Sequence, residues 1–254
     1  MTQLTLAELY DSPTRSLIRT SRNNSQVQIH SPSQDTQDST IGILQWNAAQ
    51  LNQLKHTELT LLSERVDADV IMLCELHRVD NQRIPNRIKN FEDCHYTIVA
   101  GTKGLATYVK KGIIWRALQD LSECANAFGR NAIAQATEIY MHQGPPLLLW
   151  NVYIHPECRK SIREKFWNNI IAISEDYEQM FIAGDINEEV SPSSSYSSIF
   201  CPSFSDMTDP SKHKIVLLND ESITRLQLKH DGNHEMSAID ASFASPGVIG
   251  LVQN

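Results

Sequence analysis

The chain has 254 residues, with 30 acidic against 22 basic side chains and a formal net charge of -8. That length allows one substantial α/β core, and nothing in the sequence repeats or forces a second domain. The acidic balance excludes a protein that holds nucleic acid by bulk electrostatics, but not an acidic nuclease, whose cation-binding carboxylates themselves contribute negative charge.

No apolar run reaches the roughly 18 residues that span a bilayer, and the polar N-terminus lacks the apolar centre of a secretory signal. An intracellular protein, nuclear or cytoplasmic, with no membrane partner is expected. The five cysteines, Cys74, Cys94, Cys124, Cys158 and Cys201, are odd in number and widely spaced with no CxxC pair, so neither a disulfide framework nor a zinc site is indicated.

Residues 1–40 read as a polar, disordered leader. Within it, residues 20–40 are rich in Ser, Asn, Gln, Asp and Thr and bury too little surface to offset their ordering entropy. Residues 1–18 carry Leu4, Leu6, Leu9, Tyr10 and Leu17 at poor spacing, enough for one weak helix. A domain over residues 41–254 follows. Residues 41–47 form a first short apolar run, ending on Asn47. Leu51, Leu54, Leu61, Leu62 and Val66 then recur at roughly helical spacing, and a second run, residues 69–75, ends on Glu75. This is a strand, helix, strand unit.

Short segments rich in β-branched and aromatic residues come next, at 95–100, 104–109, 113–118 and 132–141, separated by Gly, Lys and Asn turns; they read as antiparallel strands. Residues 147–153 form a third apolar run, ending on Tyr153. An amphipathic helix over about residues 160–177 carries Ile162, Phe166, Trp167, Ile170, Ile171 and Ile173 on or near one face. A fourth run, residues 180–187, delivers Asp185 and Asn187. The Ser-rich stretch 191–198, with Pro192, reads as a loop.

Apolar runs of this length suit strands buried on both faces. If the four run the same way, Asn47, Glu75, Tyr153, Asp185 and Asn187 share one rim. Oxygen-rich side chains at such a rim suit a hard cation such as Mg²⁺, which takes a few carboxylates and completes its shell with water and phosphate. The chemistry suggested is phosphate ester cleavage. Glu75 is the firmest of these readings, because a carboxylate directly behind five apolar residues is costly unless paired or metal-bound. Asp240, between Ile239 and a strand-like Ala-Ser-Phe, carries a similar argument. Lys103, Lys110, Lys111, Arg159, Lys160, Arg163 and Lys165 read as solvated charges on a turn and a helix.

These residues in this order resemble the endonuclease/exonuclease/phosphatase family, and most of all the apurinic-type endonuclease domains of non-LTR (LINE-type) retrotransposons. Leu44-Gln-Trp-Asn47 followed by a helix is similar to that group's opening motif, and residues 69–75 to its metal-ligand motif. Residues 104–109, 151–156, 184–187, 218–224 and 237–240 follow in the family's order, so the resemblance covers 41–246.

It implies a deoxyribonuclease-like α/β fold, a four-layer sandwich of two mixed, mainly antiparallel β-sheets flanked by helices. It also implies Mg²⁺ (or Mn²⁺) as cofactor, with Glu75 the principal ligand and Asn47 beside it. Asp185 resembles the residue that orients or deprotonates the attacking water. Asn187 resembles the one that hydrogen-bonds the scissile phosphate, and Tyr153 the phenol that contacts it. Thr224, on the phosphate side, and Asp240, in a buttressing turn, complete the set. The implied partner is DNA, nicked by a monomer to prime reverse transcription, with a reverse transcriptase region in the same parent polypeptide.

The sequence departs from the pattern in two places. The family closes on a Ser-Asp-His triplet, and none follows Asp240, so a truncated copy lacking the C-terminal end, cleaving DNA poorly as given, is expected. Glu188-Glu189 stand where retrotransposon endonucleases often carry a histidine. Two alternatives stay open: a phosphatase of the same fold acting on a small phosphate ester, and a non-catalytic remnant.

Overall fold

The structure, a computed structural model, describes residues 28–30, 40–48, 51–76, 87–92, 94–97, 104–141, 144–187, 216–217, 225–228, 234–237, 240–245 and 248. The weak helix expected over residues 1–18 and the Ser-rich loop lie outside the described residues. Within the segment read as a leader, Gln28–His30 forms β1. The chain continues through β2 (Thr40–Asn47), α1 (Gln53–Arg65), β3 (Val70–Leu76), β4 (His95–Thr97), β5 (Gly104–Val109) and β6 (Trp115–Ala117). Then come α2 (Gln119–Ala125), β7 (Ala132–Ile139), β8 (Leu147–Ile154), α3 (Lys160–Ile173) and β9 (Gln179–Asp185). Short strands β10 (Val216–Leu217), β11 (Arg225–Leu228), β12 (His234–Ser237) and β13 (Asp240–Ala244) close the described part.

Two mixed sheets result, with strand orders β1-β2-β3-β5-β4 and β10-β13-β9-β8-β7-β6, beside a separate β11-β12 hairpin. Each large sheet holds one parallel pair, β2 with β3 and β8 with β9, and its other pairings are antiparallel. A parallel pair needs a crossover, and α1 and α3 supply them. The expected four-layer sandwich is therefore present, with α1 outside the first sheet and α2 and α3 outside the second.

Strand parity explains the layers, since alternate side chains face opposite sides of a sheet. On β8, Leu148, Trp150, Val152 and Ile154 pack under α3 with its Phe166, Trp167 and Ile170. Each such fully buried side chain contributes about 1.5–3 kcal/mol. Their neighbours Leu147 and Leu149 turn inward, meeting Ile41, Ile43, Val70, Met72 and Phe181 between the sheets. Further along the strands the same inward positions become polar: Gln45, Thr107, Gln135, Thr137 and Asn151 are all buried.

Two expectations are corrected. On α1, Leu54 and Leu61 are exposed, and the helix packs through Leu59 with Leu62 and Val66 instead. At about 100° per residue, Leu54 and Leu61 lie on the far side of the helix from Leu59. α3 ends at Ile173 rather than near Tyr177, because the Ser174 hydroxyl donates to the Ile170 carbonyl and receives the Trp150 indole N–H at the C-cap. Helix α2 falls in an interval that the periodicity left without an element.

Gly184 is required by close approach: a Cβ there would lie 1.9 Å from the Val152 carbonyl oxygen on β8, at a φ of +156°. Gly184→Ala is expected to lower unfolding stability by about 3 kcal/mol, the upper end of overpacking costs, measured by urea denaturation. A second expectation concerns pH. Burial pushes the His95 imidazole below its ordinary value of 6.5. The unfolded chain then binds the proton that the folded chain refuses. Stability should be full above pH 6.5 and fall as pH drops below it, and His95→Asn should flatten that slope.

Candidate active site

Parallel pairing within each sheet sends β2 and β3, and β8 and β9, each pair in one direction. The two sheets agree in direction as well. The Asn47 Nδ2 at the end of β2 donates to the Asp185 Oδ2 at the end of β9, at 2.6 Å. The C-terminal ends of all four strands therefore meet at one rim, as the apolar runs imply.

Asp185 is 1% exposed, and hydrogen bonds from Asn47 and Asn187 hold its carboxylate. Besides the bond from Asn47, its Oδ1 accepts the Asn187 backbone N–H at 2.9 Å, a side-chain turn spanning two residues. Asn187 sits at φ +48°, a region Asn tolerates, and its Nδ2 donates to the Ile154 carbonyl at 2.9 Å. Each oxygen of an ionised carboxylate can accept more than one hydrogen bond, and these two orient Asp185.

Glu75 reaches the rim through a β-bulge. The β3–β5 ladder pairs Leu73 with Ala106 and then Leu76 with Gly104, so Cys74 and Glu75 together oppose Leu105. Regular alternation from Cys74, which faces the inter-sheet space, would send Glu75 outward toward α1. The extra residue reverses this, and Glu75 takes φ +59°. Its carboxylate then acts on Tyr153, whose phenol is pushed up by burial first and then by the Glu75 and Asp185 charges. Both carboxylates therefore lie within electrostatic reach of one buried hydroxyl. Tyr153 stays protonated and is a donor.

Asn47 stands opposite Cys74 in the β2–β3 register, one residue before Glu75, and the Ala48 N–H donates to the Cys74 carbonyl at 3.0 Å. Asp240 stands opposite Asp185 in the β9–β13 register, so the backbone brings it to the same rim. Thr224 lies outside the described residues. The structure thus gathers Asn47, Glu75, Tyr153, Asp185 and Asn187, with Asp240 beside them on the next strand.

The residues fit a hard divalent cation by their chemistry. A carboxylate from Glu75 and an amide oxygen from Asn47 are oxygen donors of the kind Mg²⁺ takes. Among the described residues no three His, Cys, Asp or Glu side chains converge.

Arg163 overturns its reading as a solvated charge. It is buried on α3, and its guanidinium donates to the carbonyls of Cys158 at 3.2 Å, Ile186 at 3.0 Å, His155 at 3.4 Å and Pro156 at 3.5 Å. It ties the loop after Tyr153 to the turn after Asp185. Its place three and four residues before Phe166 and Trp167, on the same helix face, is the signal that could have found it. Lys110 likewise pairs with Asp67 and Asp69 at the opposite end of the strands.

Similar folds are found among solved structures. The endonuclease domain of TRAS1, a telomere-specific non-LTR retrotransposon, superposes with a TM-score of 0.61 at 15% identity, over 84% of this chain and 88% of that one. D. rerio TDP2, complexed with a single-strand DNA product, gives 0.54 at 13% identity over 81% and 83%. An endonuclease/exonuclease/phosphatase family protein from Bacteroides thetaiotaomicron gives 0.54 at 12% over 81% and 83%. No family model and no curated protein matches by sequence. The chain has the endonuclease/exonuclease/phosphatase fold.

A residue at φ +59° that is not glycine costs about 1–2 kcal/mol. Glu75→Gly and Glu75→Ala both remove the carboxylate, but only Gly adopts that φ without strain. Glu75→Gly should unfold at higher denaturant than Glu75→Ala, by about 1 kcal/mol in chemical denaturation.

Proposed function

We propose that this chain is a divalent-metal-dependent phosphodiesterase, a DNA endonuclease domain that nicks target DNA to prime reverse transcription in a retrotransposon-type parent polypeptide. The observation that carries it is the bulge that brings Glu75 to the same side as Asn47, Tyr153 and Asp185. Glu75 and Asn47 would hold Mg²⁺ or Mn²⁺, which when bound supplies neutralisation of the phosphate charge.

The chain's own groups account for the rest. Asp185, fixed by Asn47 and the Asn187 N–H, accepts from and orients the attacking water. The Tyr153 phenol donates toward a non-bridging phosphate oxygen, where charge rises in the transition state. Asn187 contacts the phosphate beside it, with Thr224 on the same side. Asp240, opposite Asp185, braces the rim. The retrotransposon reading rests on the motif order together with the TRAS1 superposition. The DNA reading draws further support from TDP2, solved with a DNA product. The domain acts as a monomer, next to a reverse transcriptase region, inside the cell.

Nicking of supercoiled plasmid, by the chain extended through a Ser-Asp-His triplet, tests this. Cleavage should require Mg²⁺ or Mn²⁺, and Glu75→Ala or Asp185→Ala should abolish it. Tyr153→Phe should lower the rate about 10²-fold, as for loss of one positioned donor. Release of inorganic phosphate from a small phosphate ester, without nicking, would replace the endonuclease with a phosphatase of the same fold.

A further inference from the structure

The bulge that delivers Glu75 has a structural cost. At Leu73 and Ala106 the regular β3–β5 register stops, so these two carbonyls sit at the edge of the irregularity, inside the protein. A buried carbonyl without a partner is expensive, so something must meet them. The opposite sheet does so. The side-chain Nδ2 of Asn151, on β8, donates to the Leu73 carbonyl at 3.0 Å and to the Ala106 carbonyl at 3.1 Å.

The other end of the same amide is also held. The Cys74 thiol donates to the Asn151 Oδ1 at 3.2 Å and lies 3.3 Å from the Val152 carbonyl. Gln45 Nε2, from β2, donates to the Cys74 sulfur at 3.7 Å. Asn151 is fully buried, two residues before Tyr153 on the same face of β8. One amide therefore spans the bulge on both sides: its donors hold the carbonyls where the ladder breaks, and its acceptor holds the first of the two bulged residues.

We infer that Asn151 is a positioning residue for Glu75, fixing from the second sheet the bulge that aims this carboxylate at the rim and so setting the divalent-cation affinity of the site. The inference rests on the reading of Glu75 as a metal ligand. Without the amide, the two carbonyls and the Cys74 thiol each lose a hydrogen bond. The cheapest repair is then for β3 to resume regular pairing with β5. That repair turns Glu75 toward α1, away from Tyr153 and Asp185. Partners behind a ligand of this kind typically change metal affinity 10-fold to 100-fold when removed.

Mn²⁺ binding to the full chain, read from the loss of the free-ion EPR signal, tests this with the metal alone as probe. Glu75→Gln should weaken binding in otherwise unaltered protein. Asn151→Leu, close in size but without donors, should weaken it 10-fold to 100-fold while the far-UV CD spectrum is kept. In a Glu75→Gln background the same Asn151→Leu change should cost nothing further, an outcome that a merely structural asparagine would not give.

Wild-type affinity in folded Asn151→Leu, or an equal loss in both backgrounds, overturns the inference and leaves Glu75 as a ligand. Absence of Glu75-dependent Mn²⁺ binding in the unaltered chain overturns both. If Asn151→Leu does not fold, Cys74→Ala keeps the Asn151 amide and removes the donor to its Oδ1, along with the sulfur's contacts to the Val152 carbonyl and Gln45. It should weaken Mn²⁺ binding several-fold in the Glu75 protein alone, and unchanged affinity there counts against the inference equally.

Discussion

The hydrogen bond from Asn47 to Asp185 is the contact on which the rest of the rim depends. It joins residues 138 positions apart in the chain, one from each sheet, and both are buried. A bond to an ionised carboxylate is worth about 1.5–3 kcal/mol net, and leaving Asp185 without it would cost the desolvation of a charge. The same bond fixes how far one sheet can slide over the other. Glu75 and Tyr153 belong to different sheets, so their meeting depends on that alignment.

Below the rim the sandwich interior changes character along the strands. Its far end is apolar, around Ile43, Met72, Leu149 and Phe181. The next layer is amide and hydroxyl. Gln135 Nε2 donates to the His95 carbonyl and the Thr97 hydroxyl at 3.0 Å, and its Oε1 accepts from Thr107 at 2.6 Å. Aliphatic packing between sheets tolerates small shifts, whereas buried hydrogen bonds demand one register, because each missing partner is costly in a low-dielectric interior. A polar layer directly beneath a site that needs fixed distances gives that site one geometry.

Strain is concentrated at the same place. Of the four non-glycine residues at positive φ among those described, Asp67 and Asn90 lie away from the rim, while Glu75 and Asn187 belong to the candidate site. Strained backbone of this sort persists only where its surroundings over-determine it. Here the surroundings are identifiable. The Asp185 carboxylate and the Ile154 carbonyl hold Asn187, and the bulge holds Glu75. The buried Arg163 adds a third constraint from behind, gripping the backbone just after both Tyr153 and Asp185.

By itself the sequence determined the strands that matter and the residues at their ends. Apolar runs bounded by polar residues are a local signal, and they placed Asn47, Tyr153, Asp185 and Asn187 at strand termini that the structure brings together. The α3 face around Phe166, Trp167 and Ile170 was legible for the same reason, since helical period is written locally. The face of α1 was less so, because Leu54 and Leu61 are apolar yet exposed, and only packing against a particular sheet decides which leucines are buried. Arg163 was misread because composition cannot show that a guanidinium will find four carbonyls on a loop folded around it. Glu75 marks the division most sharply. Its identity was conspicuous in the sequence, but strict alternation from Cys74 would have turned it away from the rim. Only the break in the β3–β5 ladder, sustained by hydrogen bonds from a strand 78 residues further along the chain, turned it inward. A bulge has no local signature here, since its stability comes from partners in the opposite sheet.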